Sequence, residues 1–361
     1  MKSIIIVGSG VAGTLMARQL LQKSDHQITI FEAGPDFKKT HRKWLDYLMA
    51  EKSNPYEPYL DDPMKEHEHF GLRGSRLFVK GGTTNHWGGW SLRFKPEDFE
   101  LKSRTGQGSD WPIDYNNLAP YYTKAEFMLG IEGDSDNNDP PRFGENFPFP
   151  AAEYTLNDLP MIEGLKKLGI SYSHMPMARD GDRCNTNGTC YYCPINARYS
   201  ASYDLMNLED QYSSRIHFQA NSPVIKILMN NKYKAIGVRY FNNKTGVSRT
   251  MNADVVVICS GTVESSKLLL ASANKDWLDG IGNDSDHVGR HLIGHPLIFA
   301  EGFLSGNSDK IEQELGFITL ASRHYDTPEF QKTGKMLFAR APDASNTHLE
   351  KEIMLNSTKL E

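Results

Sequence analysis

Residues 3 to 13 read SIIIVGSGVAG, an unbroken apolar run that stops at glycine and continues into a second and a third glycine. A short β-branched run of this kind reads as a buried strand. Beyond it Leu15, Met16, Ala17, Leu20 and Leu21 recur at helical spacing, and Gln27 to Phe31 forms a second short strand ending at Glu32. The pattern is strand, tight turn, helix, strand. Gly8, Gly10 and Gly13 then take distinct jobs in a dinucleotide-binding turn: one makes the bend, one admits a pyrophosphate to the backbone, and one lets helix and strand approach. The phosphates would lie at the positive end of the helix that opens with Val11 and Ala12. Glu32 stands 19 residues after Gly13, where an acid is expected to meet the adenosine ribose hydroxyls. A carboxylate there disfavours a 2′-phosphate, which speaks against NADP.

The rest of the chain bounds the problem. Its 361 residues are 39% hydrophobic, enough for a real core and for two domains. Lys and Arg total 40 against 45 Asp and Glu, a net charge of −5 with the basic residues dispersed, which argues against a nucleic-acid partner. No apolar run is long enough to span a bilayer. The chain opens directly into its first strand without the longer apolar stretch of a secretory signal, so a cytoplasmic location is expected.

A second glycine-rich stretch, VKGGTTNHWGGW at 79 to 90, needs another explanation. Backbone without Cβ atoms can press against a flat group, and Asn85, His86 and Trp87 could touch it. Farther on, Leu118, Tyr121, Tyr122, Ala125, Met128 and Leu129 share one helical face and read as core. The acidic stretch EGDSDNNDPP at 132 to 141 reads as the place where the chain moves between layers. After Pro223, VIKIL, AIGVRYF and VSRTM are separated by NNKY and NNKTG and predict an antiparallel meander. ADVVVICSGTVESSKLLLASA then predicts a buried strand that breaks at Ser260 and Gly261 into a helix. A return to the nucleotide sheet after a meander is a flavoprotein arrangement, so the flat group is expected to be an isoalloxazine.

Six stretches, in order, resemble the glucose-methanol-choline (GMC) family of FAD-dependent oxidoreductases: GSGVAG with EAG, VKGGTTNHWGGW, WPI with LAPYYTKAE, SPVIKIL, VVICSGTVESSKLLL and HVGRHLIGHP. The GGTTNHW form is most similar to the branch with pyranose oxidase and bacterial FAD sugar dehydrogenases. The resemblance implies an α/β fold, with a doubly wound FAD-binding domain from 1–100 and 200–296 and a substrate domain with an antiparallel sheet from 101–199 and 297–361. It implies that Gly8, Gly10, Val11, Ala12, Gly13, Glu32 and Ala33 hold the ADP half of FAD and that backbone at Val224 meets adenine. Gly81, Gly82, Thr83, Thr84, Asn85, His86 and Trp87 would lie along the flavin, and Ser260, Gly261 and Thr262 would close the site. His86 and Asn85 are the catalytic candidates. His86 takes the place of the histidine that pyranose oxidase links covalently to flavin. Read alone, it could equally be a neutral hydrogen-bond donor or a packed loop histidine.

In the family a C-terminal histidine takes the alcohol proton while hydride passes to flavin. Nothing after Pro296 resembles that segment, and loss of a general base costs about 10²- to 10⁴-fold in rate. The expectation is a chain shortened by a truncated or split reading frame, or a degenerate paralogue. The expected activity is dehydrogenation of a CH–OH group of a sugar, polyol or other alcohol, with oxygen, a quinone or a cytochrome as final acceptor. The rival is a catalytically incomplete FAD-binding fragment or a subunit completed by a partner chain. Cys184, Cys190 and Cys193 resemble the loop that holds a 3Fe-4S cluster in the sugar dehydrogenases, although the second gap is one residue shorter. Zinc with a fourth ligand, or plain reduced cysteines, are the alternatives. Cys259 reads as core.

Overall fold

A computed structural model describes residues 1–37, 56, 76–156, 158–184, 192–193, 195–292, 294, 318–327 and 337–339. The chain divides into two compact units, one made of Met1–Lys43, Asn54–Asn85 and Ser200–Phe303, the other of Trp44–Ser53, His86–Tyr199 and Leu304–Glu361. Residues 132 to 141, expected to carry the chain between layers, lie wholly inside the second unit.

The first unit is built on β1 (Ser3–Val7), α1 (Val11–Lys23), β2 (Gln27–Phe31), α2 (Ala201–Gln211), β3 (Ile216–Gln219), β4 (Val224–Met229), β5 (Ala235–Asn242), β6 (Val247–Asn252), β7 (Val255–Ile258) and α3 (Gly261–Ala271). Four strands form a parallel sheet in the order β7–β1–β2–β3. Ile4 to Val7 pair with Val255 to Ile258 on one side, and Ser3 to Val7 with Gln27 to Phe31 on the other. Parallel strands covered on both faces must be apolar throughout, and β1 is buried from Ile4 to Val7. One face of β1 sends Ile4 and Ile6 into a cluster with Ala17, Leu21, Ile28, Ile30, Leu205 and Leu208, which joins α1 and α2 to the sheet. The opposite face sends Ile5 and Val7 against Phe31, Ile227, Val238, Tyr240 and Leu268, which joins the sheet to the meander and α3. The meander runs antiparallel in the order β6–β5–β4.

In the second unit, Tyr115–Leu129 is a helix whose first turn is fixed by reciprocal bonds between Asp114 and Asn117. Its buried residues are Tyr115, Ala119 and Glu126; of the apolar stripe, Leu118 and Tyr122 pack against the cluster of Phe99, Tyr115 and Ala119, whereas Tyr121 is 66% exposed. The burial of Glu126 is electrostatic. Glu126 takes Arg93 at 2.7 Å and Arg142 at 2.7 Å, both guanidiniums being buried, and this clamp lets a carboxylate sit on the buried side of the helix. Burial alone would raise the Glu126 carboxyl, but the two arginines hold it below the ordinary range. Two short sheets complete the unit. Ile131–Gly133 lies between Phe149–Pro150 and Met177–Ala178, and Leu320–Ser322 lies between Ser173–His174 and Phe338–Ala339.

Ile6 is fully buried in the central strand with both neighbouring strands in place. Ile6→Ala is expected to lower unfolding stability by about 2–5 kcal/mol. Chemical denaturation followed by far-UV circular dichroism measures this, and a loss below about 1 kcal/mol would contradict the packing described.

Candidate functional site

Helix α1 starts at Gly10 with no side chain capping it. The first amides, at Val11, Ala12 and Gly13, therefore face outward without intrahelical partners, and that end of the helix carries a partial positive charge. A Cβ placed on Gly10 would meet nothing within 4 Å among the described residues, so the backbone can be approached on that side. Gly13 is the opposite case. Its Cβ would fall 2.0 Å from the Gly8 carbonyl oxygen, so only glycine lets the helix pack on the turn. Gly8 in turn abuts the Cys259 carbonyl, because β7 runs beside β1. This brings Ser260, Gly261 and Thr262 beside the turn. Ser260 donates to the Val7 carbonyl at 3.2 Å, and α3 also begins without a side-chain cap, at an exposed glycine with φ +76°.

Glu32, at the end of β2, is buried. One carboxylate oxygen accepts from the Ser9 hydroxyl at 2.6 Å and the Ser9 amide at 3.3 Å, and the other accepts from the Gly34 amide at 3.0 Å. Burial pushes its carboxyl up from the ordinary value, and these donors pull the other way without cancelling the shift. Ala33 is half-buried beside it. The Glu32 carbonyl accepts from the Ser222 amide at 2.9 Å, which places Val224, the first residue of β4, two positions away from that contact.

The second glycine stretch folds as a 3₁₀ turn over Gly82–Asn85. Ser9 reaches it directly, for its hydroxyl accepts from the Gly81 amide at 3.0 Å while donating to Glu32. Gly81 has φ +86°, and a Cβ there would lie 2.4 Å from the Ser202 nitrogen at the start of α2. Gly82 lies so close to the first turn that its Cβ would be 3.3 Å from the Gly10 Cα. Thr83 is exposed and Thr84 is buried, donating to the Gly81 carbonyl at 2.6 Å. Asn85 is buried and turned toward α2. The first unit thus collects Gly8 to Gly13, Glu32, Gly81 to Asn85 and Ser260 to Thr262 around the open end of α1. Ser9, Ser200 and Ser202 join them and had not been singled out in the sequence; Ser9 hid as a variable position inside the fingerprint.

His86 and Trp87 begin a segment of the second unit. The Trp87 indole donates to the Tyr199 carbonyl at 3.0 Å, and the Arg198 guanidinium donates to the Trp87 carbonyl. Burial lowers the pKa of His86, and the positive charge of Arg198 lowers it further, so the imidazole is neutral at physiological pH.

The cysteine expectation fares differently. Cys184 and Cys193 are half-buried free thiols, and Cys184 packs against Met175, Met177 and Ile318. Cys190 lies outside the described residues. Among the described residues no group of three or more His, Cys, Asp or Glu is arranged to hold a metal, so the iron-sulfur cluster finds no support there. Cys259 is half-buried against the β1 core, and burial pushes its thiol up.

A profile of the family described as GMC oxidoreductase matches residues 4–297. The chain belongs to the GMC oxidoreductase family. It is 30% identical to the fructose dehydrogenase large subunit of Gluconobacter japonicus over 82% of this chain and 58% of that protein. It is 25% identical to the 2-methyl-1,2-propanediol dehydrogenase of Mycolicibacterium austroafricanum over 81% of this chain and 55% of that one. Among solved structures, pyridoxine 4-oxidase from Mesorbium loti superposes with a TM-score of 0.52 at 20% identity, covering 77% of this chain and 53% of that one. That likeness supports the expected α/β fold with its parallel sheet and separate antiparallel sheets. The chain spans about half the length of the relatives it matches. Among the described residues no helix is long and apolar enough to cross a membrane.

The His86 environment makes a measurable statement. Its folded pKa lies below the unfolded value of about 6.5, so its neutral form contributes to stability fully above that pH and the contribution is lost as pH falls through the folded pKa. Arg198→Gln is expected to move the His86 titration upward toward the ordinary value, read by NMR of the imidazole ring. An unchanged or lower pKa would contradict the role given to the arginine.

Proposed function

We propose that the protein is an FAD-dependent oxidoreductase that dehydrogenates the CH–OH group of a sugar, polyol or other alcohol, and that its first unit is the FAD domain and its second the substrate domain. The observation that carries this reading is the uncapped start of α1 joined through Ser9 to Glu32 and to the Gly81 turn. Those residues fit an extended dinucleotide. The outward amides at Val11, Ala12 and Gly13 suit a pyrophosphate, and the approachable backbone at Gly10 admits it. Glu32 suits the ribose hydroxyls, Val224 the adenine, and Ser260, Gly261 and Thr262 the far side of the phosphates. FAD, when bound, supplies an acceptor for the two electrons removed from the alcohol carbon.

The chain's own residues then bind and orient. Gly81 and Gly82 provide main chain without Cβ atoms, and Ser9 ties that main chain to the acid that grips the ribose. By continuity of the sequence we extend the proposed flavin-facing set through Thr83 and Thr84 to His86 and Trp87. The neutral His86 imidazole can donate from one ring nitrogen and accept at the other, and Trp87 is held by its bond to Tyr199. Substrate class is supported by the relatives named for fructose and for a diol. One of them is named as a large subunit, which supports a partner chain for this protein as well.

Loading the purified full chain with FAD and adding a panel of sugars, polyols and simple alcohols without oxygen tests the proposal. The expected result is bleaching of the flavin absorption by at least one member of the panel. Bound FAD that no alcohol bleaches would overturn the assigned activity, and failure to retain FAD would overturn the assigned site. A Gly13→Ala variant, whose methyl collides with the Gly8 carbonyl, is expected to lose FAD by at least about tenfold in affinity, measured by ultrafiltration of free flavin.

A further inference from the structure

Asn85 stands among the catalytic candidates by sequence, yet the structure gives its side chain another task. It is 2% exposed. Its amide nitrogen donates to the Lys80 carbonyl at 2.9 Å and the Gly82 carbonyl at 2.8 Å. Its amide oxygen lies 2.9 Å from the Ser202 hydroxyl and 3.1 Å from the Ser200 hydroxyl, themselves 2.7 Å apart, so the two hydroxyl protons are shared over three contacts and at least one is donated to the amide oxygen. The orientation is forced, because two carbonyls can only accept and so must face the NH₂ group. Both N–H donors of the amide and its oxygen are thus used on the protein itself. The same junction is secured again by Thr84, whose hydroxyl accepts from the Ala201 amide at 2.9 Å. Ala201 is the first residue of α2, and Ser200, the residue before it, provides no side-chain cap of its own. The helix start is therefore capped from the 3₁₀ turn.

We propose that Asn85 is a positioning residue: its side chain locks the Lys80–Gly82 main chain onto the start of α2 and thereby fixes the glycine backbone that meets the ring end of the cofactor. The proposal rests on the FAD assignment made above and deepens it. Lys80 and Gly82 flank Gly81, whose amide is already held by Ser9, so the lock fixes the peptide units on both sides of that residue. Without it the two carbonyls lose a buried donor, and the turn is free to rotate its peptide planes. The adenylate end is held by other groups, Gly8 to Gly13 and Glu32, and does not depend on this amide.

That separation gives a test. In the full chain, Asn85→Ala is expected to weaken FAD binding by about tenfold while ADP affinity stays within about twofold of the unsubstituted protein. The absorption bands of the bound flavin are expected to move, because the ring meets a loosened backbone. The Ser200→Ala/Ser202→Ala double variant removes the hydroxyls that meet the amide oxygen, together with the bond between them, and should show the same pattern at about threefold; it decides the matter if Asn85→Ala does not fold. Unchanged FAD affinity and bands would overturn the proposal. So would a parallel loss of FAD and ADP binding with a lower melting temperature of the free protein, which is the mark of general destabilisation. An unsubstituted protein that binds ADP but no FAD, or neither, would strike the FAD assignment itself.

Discussion

One hydroxyl group holds the candidate site together. Ser9 donates to the Glu32 carboxylate and accepts from the Gly81 amide, so three separate stretches of sequence meet at a single oxygen. A serine can do this because its oxygen is at once a donor and an acceptor. Glycine in the same turn would leave the buried Glu32 carboxylate short of a donor and the Gly81 amide short of an acceptor, each a costly loss in a desolvated place. The glycines on either side set the condition. The turn fits between α1 and β7 only because Gly8 and Gly13 place no atoms there, and in that turn the Ser9 hydroxyl reaches both Glu32 and Gly81.

Much of this was legible in the sequence because burial on both faces of a parallel sheet leaves a plain trace. SIIIV and VVVI are almost wholly apolar and QITIF buries Ile28, Ile30 and Phe31, and the three are adjacent strands. The meander was equally plain, since its turns carry asparagine and glycine between β-rich segments. The fourth strand, Ile216–Gln219, was not legible: IHFQ alternates over only four residues at the sheet's edge, too short for periodicity to speak. Helix α2 was missed although Ala201, Leu205 and Leu208 follow a helical spacing, because its polar residues dilute the stripe.

The site was half legible for a related reason. Residue type identifies the glycines and the acid, but it does not say which way a polar side chain turns. Asn85 lies between glycines and beside His86, and in one dimension it looks available to a ligand; in three it is spent on Lys80, Gly82, Ser200 and Ser202. In the second unit the helix Tyr115–Leu129 misleads in the same manner. Its apolar stripe is only partly covered, with Tyr121 exposed, while an acid, Glu126, is buried because two guanidiniums bind its carboxylate.

The central position of β1 has a consequence for biosynthesis. The Ser3 amide donates to the Asp254 carboxylate at 2.8 Å, 251 positions later in the chain. A ribosome adding about 5–20 residues per second needs roughly 12 to 50 s to make that partner after the first strand emerges. Throughout that interval β1, the more deeply buried of the two strands, has an unfilled edge, open to any other nascent chain, which gives this strand reason to engage a chaperone.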